Sequence, residues 1–254
     1  MSPPIPRPFP RFLADAPQES APFGDLETRL RQSFLAACEP YVGEAGSPPA
    51  PDTVRWFPER GWGGRVYLPA TARATEPDED GLFAEFFGHV SFERPDEGEP
   101  GEIRGSAEFT DVTAEENPDW QIDISDDVIG TWRADAGRGG HVTLVWGMPL
   151  VRGAIAATAE LGDEVIDQTP VTDGRFTLIA VDAVSGFGDD LFLSVRLWDK
   201  RLGELASESL YDDPEAEDDG SSEDAETGEG SDETDADQSP GSGTAASGNG
   251  NKAK

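Results

Sequence analysis

The stretch Glu164–Asp182, EVIDQTPVTDGRFTLIAVD, decides the fold class. Two β-prone runs, Glu164–Val171 and Arg175–Asp182, flank Asp173-Gly174. That dipeptide tolerates the two successive positive φ angles of a tight hairpin turn, so it predicts antiparallel pairing of its flanks.

Working outward from this turn, the same grammar recurs. Leu191–Trp198 and Leu205–Tyr211 flank the polar connection Asp199–Gly203. Val128–Ala134 and His141–Trp146 flank the glycine-rich Asp135–Gly140. Between Val151 and Leu161, Val151, Gly153, Ile155, Ala157, Ala159 and Leu161 alternate with more polar positions, and Gly162-Asp163 supplies a turn. Further toward the N-terminus, Val66 and Leu68 open one strand, and Ile103–Val112 reads as another. In Phe83–Glu93, large apolar groups fall on both alternating sets, so both faces are expected to be partly buried. No helical run separates these strands. Parallel pairing needs long crossovers, so the sheet must be mainly antiparallel. The reading is an all-β domain, a sandwich or a barrel, over residues 54–211.

One helix precedes it. Within residues 23–42, Leu26, Leu30, Phe34, Ala37 and Cys38 recur at spacings of three and four after Asp25, a good N-terminal cap, and Pro40 ends the run. This amphipathic helix is expected to dock on the β core, with Cys38 a buried, inert thiol. Residues 43–53 read as a linker or long loop. Residues 1–22 form a Pro-rich extended arm, and residues 212–254 an acidic and then Gly/Ser-rich tail that lacks core-forming side chains and is expected to be disordered.

Charge narrows the function. The chain carries 52 acidic and 19 basic side chains, a formal net charge of −33. The tail holds 14 acidic residues and two lysines; residues 1–211 hold 38 acidic and 17 basic, or −21. Such a surface opposes binding to a nucleic-acid backbone, which needs clustered Lys and Arg. The acidity serves either solubility in a salty host or recognition of a basic protein partner. Apolar runs fall far short of the roughly 18–20 residues that span a bilayer as a helix. Prolines interrupt the N-terminal stretch where a signal would need an apolar core, so a cytoplasmic location is expected.

Motifs for nucleophilic, phosphate-binding or zinc chemistry are absent from the sequence, and no cofactor is expected. His89 and His141 are the only imidazoles. Asp119, Asp123, Asp126 and Asp127 form the densest acidic cluster within the fold and are the candidate calcium ligands, although calcium takes about six to eight oxygens. Trp56 and Trp62 stand in the Gly/Pro-rich segment Arg55–Gly64 and could offer stacking platforms to a carbohydrate, or plug one end of the sheets. The expected function is a non-enzymatic, acidic interaction or assembly protein. The alternative is a carbohydrate-binding β module using the two Trp, and a third reading is an enzyme with an unfamiliar carboxylate site.

Overall fold

In the computed structural model the described residues are 24–94, 99–133, 139–162, 164–181 and 193–210. The Pro-rich arm, the acidic tail and the middle of the Asp135–Gly140 connection lie outside them.

Helix α1 spans Gly24–Cys38, one residue ahead of the expected cap, so Asp25 sits in its first turn, where a carboxylate complements the helix dipole. Leu30, Phe34 and Cys38, at intervals of four, are completely buried. Burial pushes the Cys38 thiol up to about 12, which keeps it neutral and unreactive. The helix lies on a first sheet, and Gly105 makes the close approach possible. A Cβ at Gly105 would stand 2.4 Å from the carbonyl oxygen of Ser33.

That first sheet contains β1 (Arg55–Trp56), β2 (Arg60–Trp62), β3 (Arg65–Arg73), β4 (Glu85–Glu93) and β5 (Gly101–Thr110). Strands β1 and β2 both pair with β3, followed by β4 and then β5. The second sheet contains β6 (Ile122–Arg133), β7 (Gly139–Pro149) and β10 (Phe176–Val181), ordered β10-β7-β6. The third contains β8 (Ala156–Leu161), β9 (Glu164–Pro170), β11 (Leu193–Trp198) and β12 (Glu204–Ser209), ordered β12-β11-β8-β9. Among the described residues every strand pairing is antiparallel. Among the described residues these are stacked open sheets, the sandwich solution.

Strand alternation sets the layers. On β4, Phe86, Val90 and Phe92 face the helix and pack with Leu30, Phe34, Leu68 and Ala70. The intervening Phe87 turns to the second sheet, where Tyr67 and Phe57 meet Leu144, Trp146 and Ile179. The other face of the second sheet presents Val145, Phe176 and Leu178 to Ala157, Ala159, Val195 and Leu197 of the third. Both faces of the first two sheets are therefore covered, as the double alternation of Phe83–Glu93 led us to expect. Truncating a fully buried aromatic such as Phe34 would cost about 3–5 kcal/mol, the transfer and cavity terms adding.

Two features depart from the expectations, and a third refines one of them. The Asp173-Gly174 turn forms, with φ of 51° and 72°. Its flanks share only the bridge Thr172–Arg175 and then part into different sheets, β9 pairing with β8 and β10 with β7. The turn is a corner rather than the tip of a ladder. Asp167 bridges the gap, accepting the Ile179 N–H at 2.8 Å and pairing with Arg60 at 2.6 Å. Second, Arg152 and Gly153 lie in a turn, so the strand expected from Val151 begins at Ala156. Third, residues 43–53 are a docked loop. The Glu76 N–H donates to Ser47 Oγ at 2.9 Å, and the Ala50 N–H donates to the Arg73 carbonyl at 2.8 Å.

The third sheet also holds a buried charge. The Glu160 side chain is 6% exposed and pairs with Arg196 Nε at 2.9 Å. Arg196 reaches Glu204 at 2.8 Å, the Thr158 hydroxyl donates to Glu160 at 3.2 Å, and the Trp198 indole donates to Thr158 at 2.9 Å.

Candidate functional site

A cleft of about 540 Å³ opens where the end of β3, the start of β4, the end of β5 and the start of β6 meet. Register places its polar groups. Glu85 stands opposite Arg73 on β3 and Thr110 on β5, and Phe87 lies two residues along on the same face. Asp123 and Asp126 enter from β6. Two short loops complete the walls. Asp78 accepts the N–H groups of Asp80 and Leu82, both at 2.9 Å, ordering the approach to Phe83. The Asn117 amide donates to the Thr113 carbonyl at 2.9 Å, ordering the segment that delivers Glu115 and Trp120. Four carboxylates (Glu85, Glu115, Asp123, Asp126) and two guanidinium groups (Arg55, Arg73) line the cleft, with Phe83, Phe87, Trp120 and Met148 as apolar wall.

The carboxylates are not equivalent. Glu115 pairs with Arg73 at 2.6 Å, and the Arg73 guanidinium lies 4.1 Å from the centroid of Phe83. Glu85 is pushed up to about 7, first by burial and then by the charge of Asp123, against the opposing pull of Arg55 and Arg73. Burial raises Asp123 as well. Asp126 is raised by burial and then by the charges of Asp127 and Glu108. No hydrogen bond contributes to any of these three shifts. They are partly buried carboxyl groups, and at Glu85 the pull of Arg55 and Arg73 falls short of burial and the charge of Asp123, an arrangement that disfavours the charged form.

Asp127 behaves in the opposite way. Burial alone would raise it, but His89, the Ser106 hydroxyl and the Val128 N–H together hold its carboxyl below the usual range. Its Oδ2 lies 3.1 Å from His89 Nδ1 and 2.9 Å from Ser106 Oγ. This cluster joins β4 and β5 of the first sheet to β6 of the second, and the Tyr67 ring stands 5.5 Å from the imidazole. His141 is exposed on β7.

The structure distributes the sequence candidates rather than gathering them. Asp123 and Asp126 line the cleft, Asp127 is engaged by His89 and Ser106, and Asp119 is exposed on the preceding loop. Among the described residues no group of three or more His, Cys, Asp or Glu side chains is placed to hold a metal ion. Trp56 is only 8% exposed and packs edge-on against Phe34, with ring centroids 6.3 Å apart. Trp62, at 36%, stays at the surface. The two rings thus form no common platform.

Sequence reasoning passed over Glu85, Phe83, Arg73 and Trp120. One signal was available: Glu85 sits between Phe83 and Phe87 on one alternating set, a carboxylate on an apolar face. Comparison with family models, curated proteins and solved structures returns no match for this chain.

Proposed function

We propose that the chain is a non-enzymatic, acidic interaction protein of the cytoplasm that engages a partner carrying clustered positive charge. The observation that carries this reading is the cleft, in which Glu85 and Asp123 face one another, Asp126 lines the same cavity, and no hydrogen bond offsets the burial of any of the three. A cation supplied by a partner would remove the cost of holding those charges partly out of water. The excess of −21 over residues 1–211 supports the same reading, since a field of one sign steers an oppositely charged partner. The test is binding of Arg/Lys-rich, neutral and acidic peptides to the full chain between 0.01 and 0.1 M salt. Selective binding of the basic peptide is expected, with an on-rate that falls as salt rises. Equal binding of all three, or an on-rate indifferent to salt, would refute it.

A second reading draws on a specific feature. Glu85, held near 7 beside a second carboxylate, has the protonation behaviour of a general acid. Turnover of a chromogenic glycoside that Glu85→Gln abolishes would favour this enzyme reading over simple binding. The carbohydrate-module reading retains only Trp62 as an exposed ring.

A further inference from the structure

We infer that the second sheet carries an internal binding site for a halide-sized anion, on the face that β7 and β10 turn toward Phe57. The site is separate from the cleft and does not rest on the interaction reading above.

Three observations lead there. First, among the described residues Arg175 is a cation that no carboxylate pairs with. It stands just before β10, its Nη1 donates to the Trp56 carbonyl at 3.0 Å, and its guanidinium lies 5.9 Å from the centroid of Phe57. Its Nε is buried with no acceptor. Arg60, Arg73 and Arg196, by contrast, each pair with a carboxylate. Second, two further polar groups on this face are enclosed and unpartnered, the indole Nε1 of Trp146 and the hydroxyl of Thr177. Trp146 is 1% exposed and Thr177 0%. Third, register gathers the three. Thr177 stands directly opposite Trp146, Arg175 lies two residues before Thr177, and Trp146 packs in the same cluster as Phe57. Cross-strand partners have Cβ atoms about 5 Å apart and next-but-one residues lie about 7 Å apart, distances that an indole and a guanidinium can bridge.

The chemistry of these groups selects the ligand. The indole and the guanidinium can only donate, and the hydroxyl can do so. An anion is an acceptor with no hydrogen of its own to place, so it satisfies all three while neutralising a cation held partly out of water. A water molecule would leave that charge uncompensated and would need acceptors for its own hydrogens. Two acceptors of this region are already engaged: the Trp56 carbonyl by Arg175, and Asp167 by Arg60 and the Ile179 N–H. The charge of −21 over residues 1–211 opposes any anion, which favours a small monovalent one and keeps the affinity modest.

The test uses isotope-labelled full chain in sodium gluconate, with gluconate replaced stepwise by chloride at constant ionic strength so that screening stays fixed. A saturable shift is expected at the Trp146 indole N–H and the Thr177 amide, together with excess broadening of the chlorine-35 resonance of the bulk ion. Arg175→Gln should weaken chloride binding about tenfold, since it removes a charge-assisted donor. Thr177→Val, nearly the same shape, should weaken it about fivefold. The unmutated chain supplies an arm that does not depend on either variant folding. No saturable shift at Trp146 and Thr177 overturns the inference, as does chlorine-35 broadening that both variants leave unchanged, which would place the ion elsewhere. A water-to-indole Overhauser signal at Trp146 that chloride does not diminish would assign the position to water and overturn it as well.

Discussion

Two regions of this protein take carboxylates out of water, and they do it in opposite ways. On the third sheet Glu160 is almost fully enclosed, yet it is paired with Arg196 and hydrogen-bonded by Thr158, with Glu204 and Trp198 extending the network. At the cleft Glu85, Asp123 and Asp126 are less enclosed, yet no hydrogen bond holds them, Arg55 and Arg73 only partly offset the burial of Glu85, and all three resist ionisation. The first arrangement is complete within the chain. The second keeps the cost of that burial. Burial alone does not mark a site; burial without compensation does.

The comparison is broken most forcefully at Arg196. Arg196→Ala should leave Glu160 buried with only the Thr158 hydroxyl beside it, and lower unfolding stability by about 3–5 kcal/mol in a urea titration. A loss below about 1 kcal/mol would show that Glu160 finds water or another partner, and the contrast between the regions would collapse.

The opposite sign is expected at the cleft. The folded protein holds Glu85 near 7, above its ordinary value of 4.5. A group raised on folding contributes its full stabilisation below the unfolded value, and that contribution is lost as pH climbs through the folded one. Stability from this group should therefore decline between about pH 4.5 and 7 and level off above. Glu85→Gln should stabilise the protein by about 2 kcal/mol at pH 8 and leave it nearly unchanged at pH 4.5, since one pKa unit corresponds to about 1.4 kcal/mol. Paired urea titrations at the two pH values measure it. Destabilisation at pH 8 would mean that the ionised carboxylate has an internal partner.

Asp127 sharpens the contrast within β6 itself. It is held below the ordinary carboxylate range, so its contribution is present above the unfolded value and disappears as pH falls through the folded one. Asp127→Asn should cost about 1–2 kcal/mol near neutral pH through weakened contacts to His89 and Ser106, and thermal melts should record it. The smallest effect belongs to salt. Between 0.01 and 0.1 M the Debye length shrinks from about 30 to 10 Å, so surface and cleft repulsion fades while the enclosed Glu160–Arg196 pair is screened much less. The melting midpoint should rise by an amount equivalent to about 0.5 kcal/mol. In Arg196→Ala a similar rise is expected, because that enclosed pair contributes little to the salt response.

Local chemistry could be read without coordinates wherever it was sufficient by itself. The helix stripe of Leu30, Phe34 and Cys38 is where periodicity placed it, because a 3.6-residue repeat needs only an apolar neighbour. The Asp173-Gly174 turn carries the positive φ angles that its residue types favour. The dense alternation of Phe83–Glu93 correctly announced two covered faces.

What only the tertiary structure decided is what lies across each face. Turn chemistry sets the direction of the chain for two residues but not which strand pairs with which, so β9 and β10 part at their own hairpin once β8 and β7 offer longer ladders. Side-chain type does not reveal exposure either: Trp56 and Trp62 stand six residues apart, yet one packs on Phe34 and the other meets solvent. The cleft was least legible of all. Glu85 and Asp123 lie on different sheets, and a chain so rich in carboxylates gives no sign of which two will meet. Their protonation depends on distance and desolvation, quantities that exist only once the sheets have stacked.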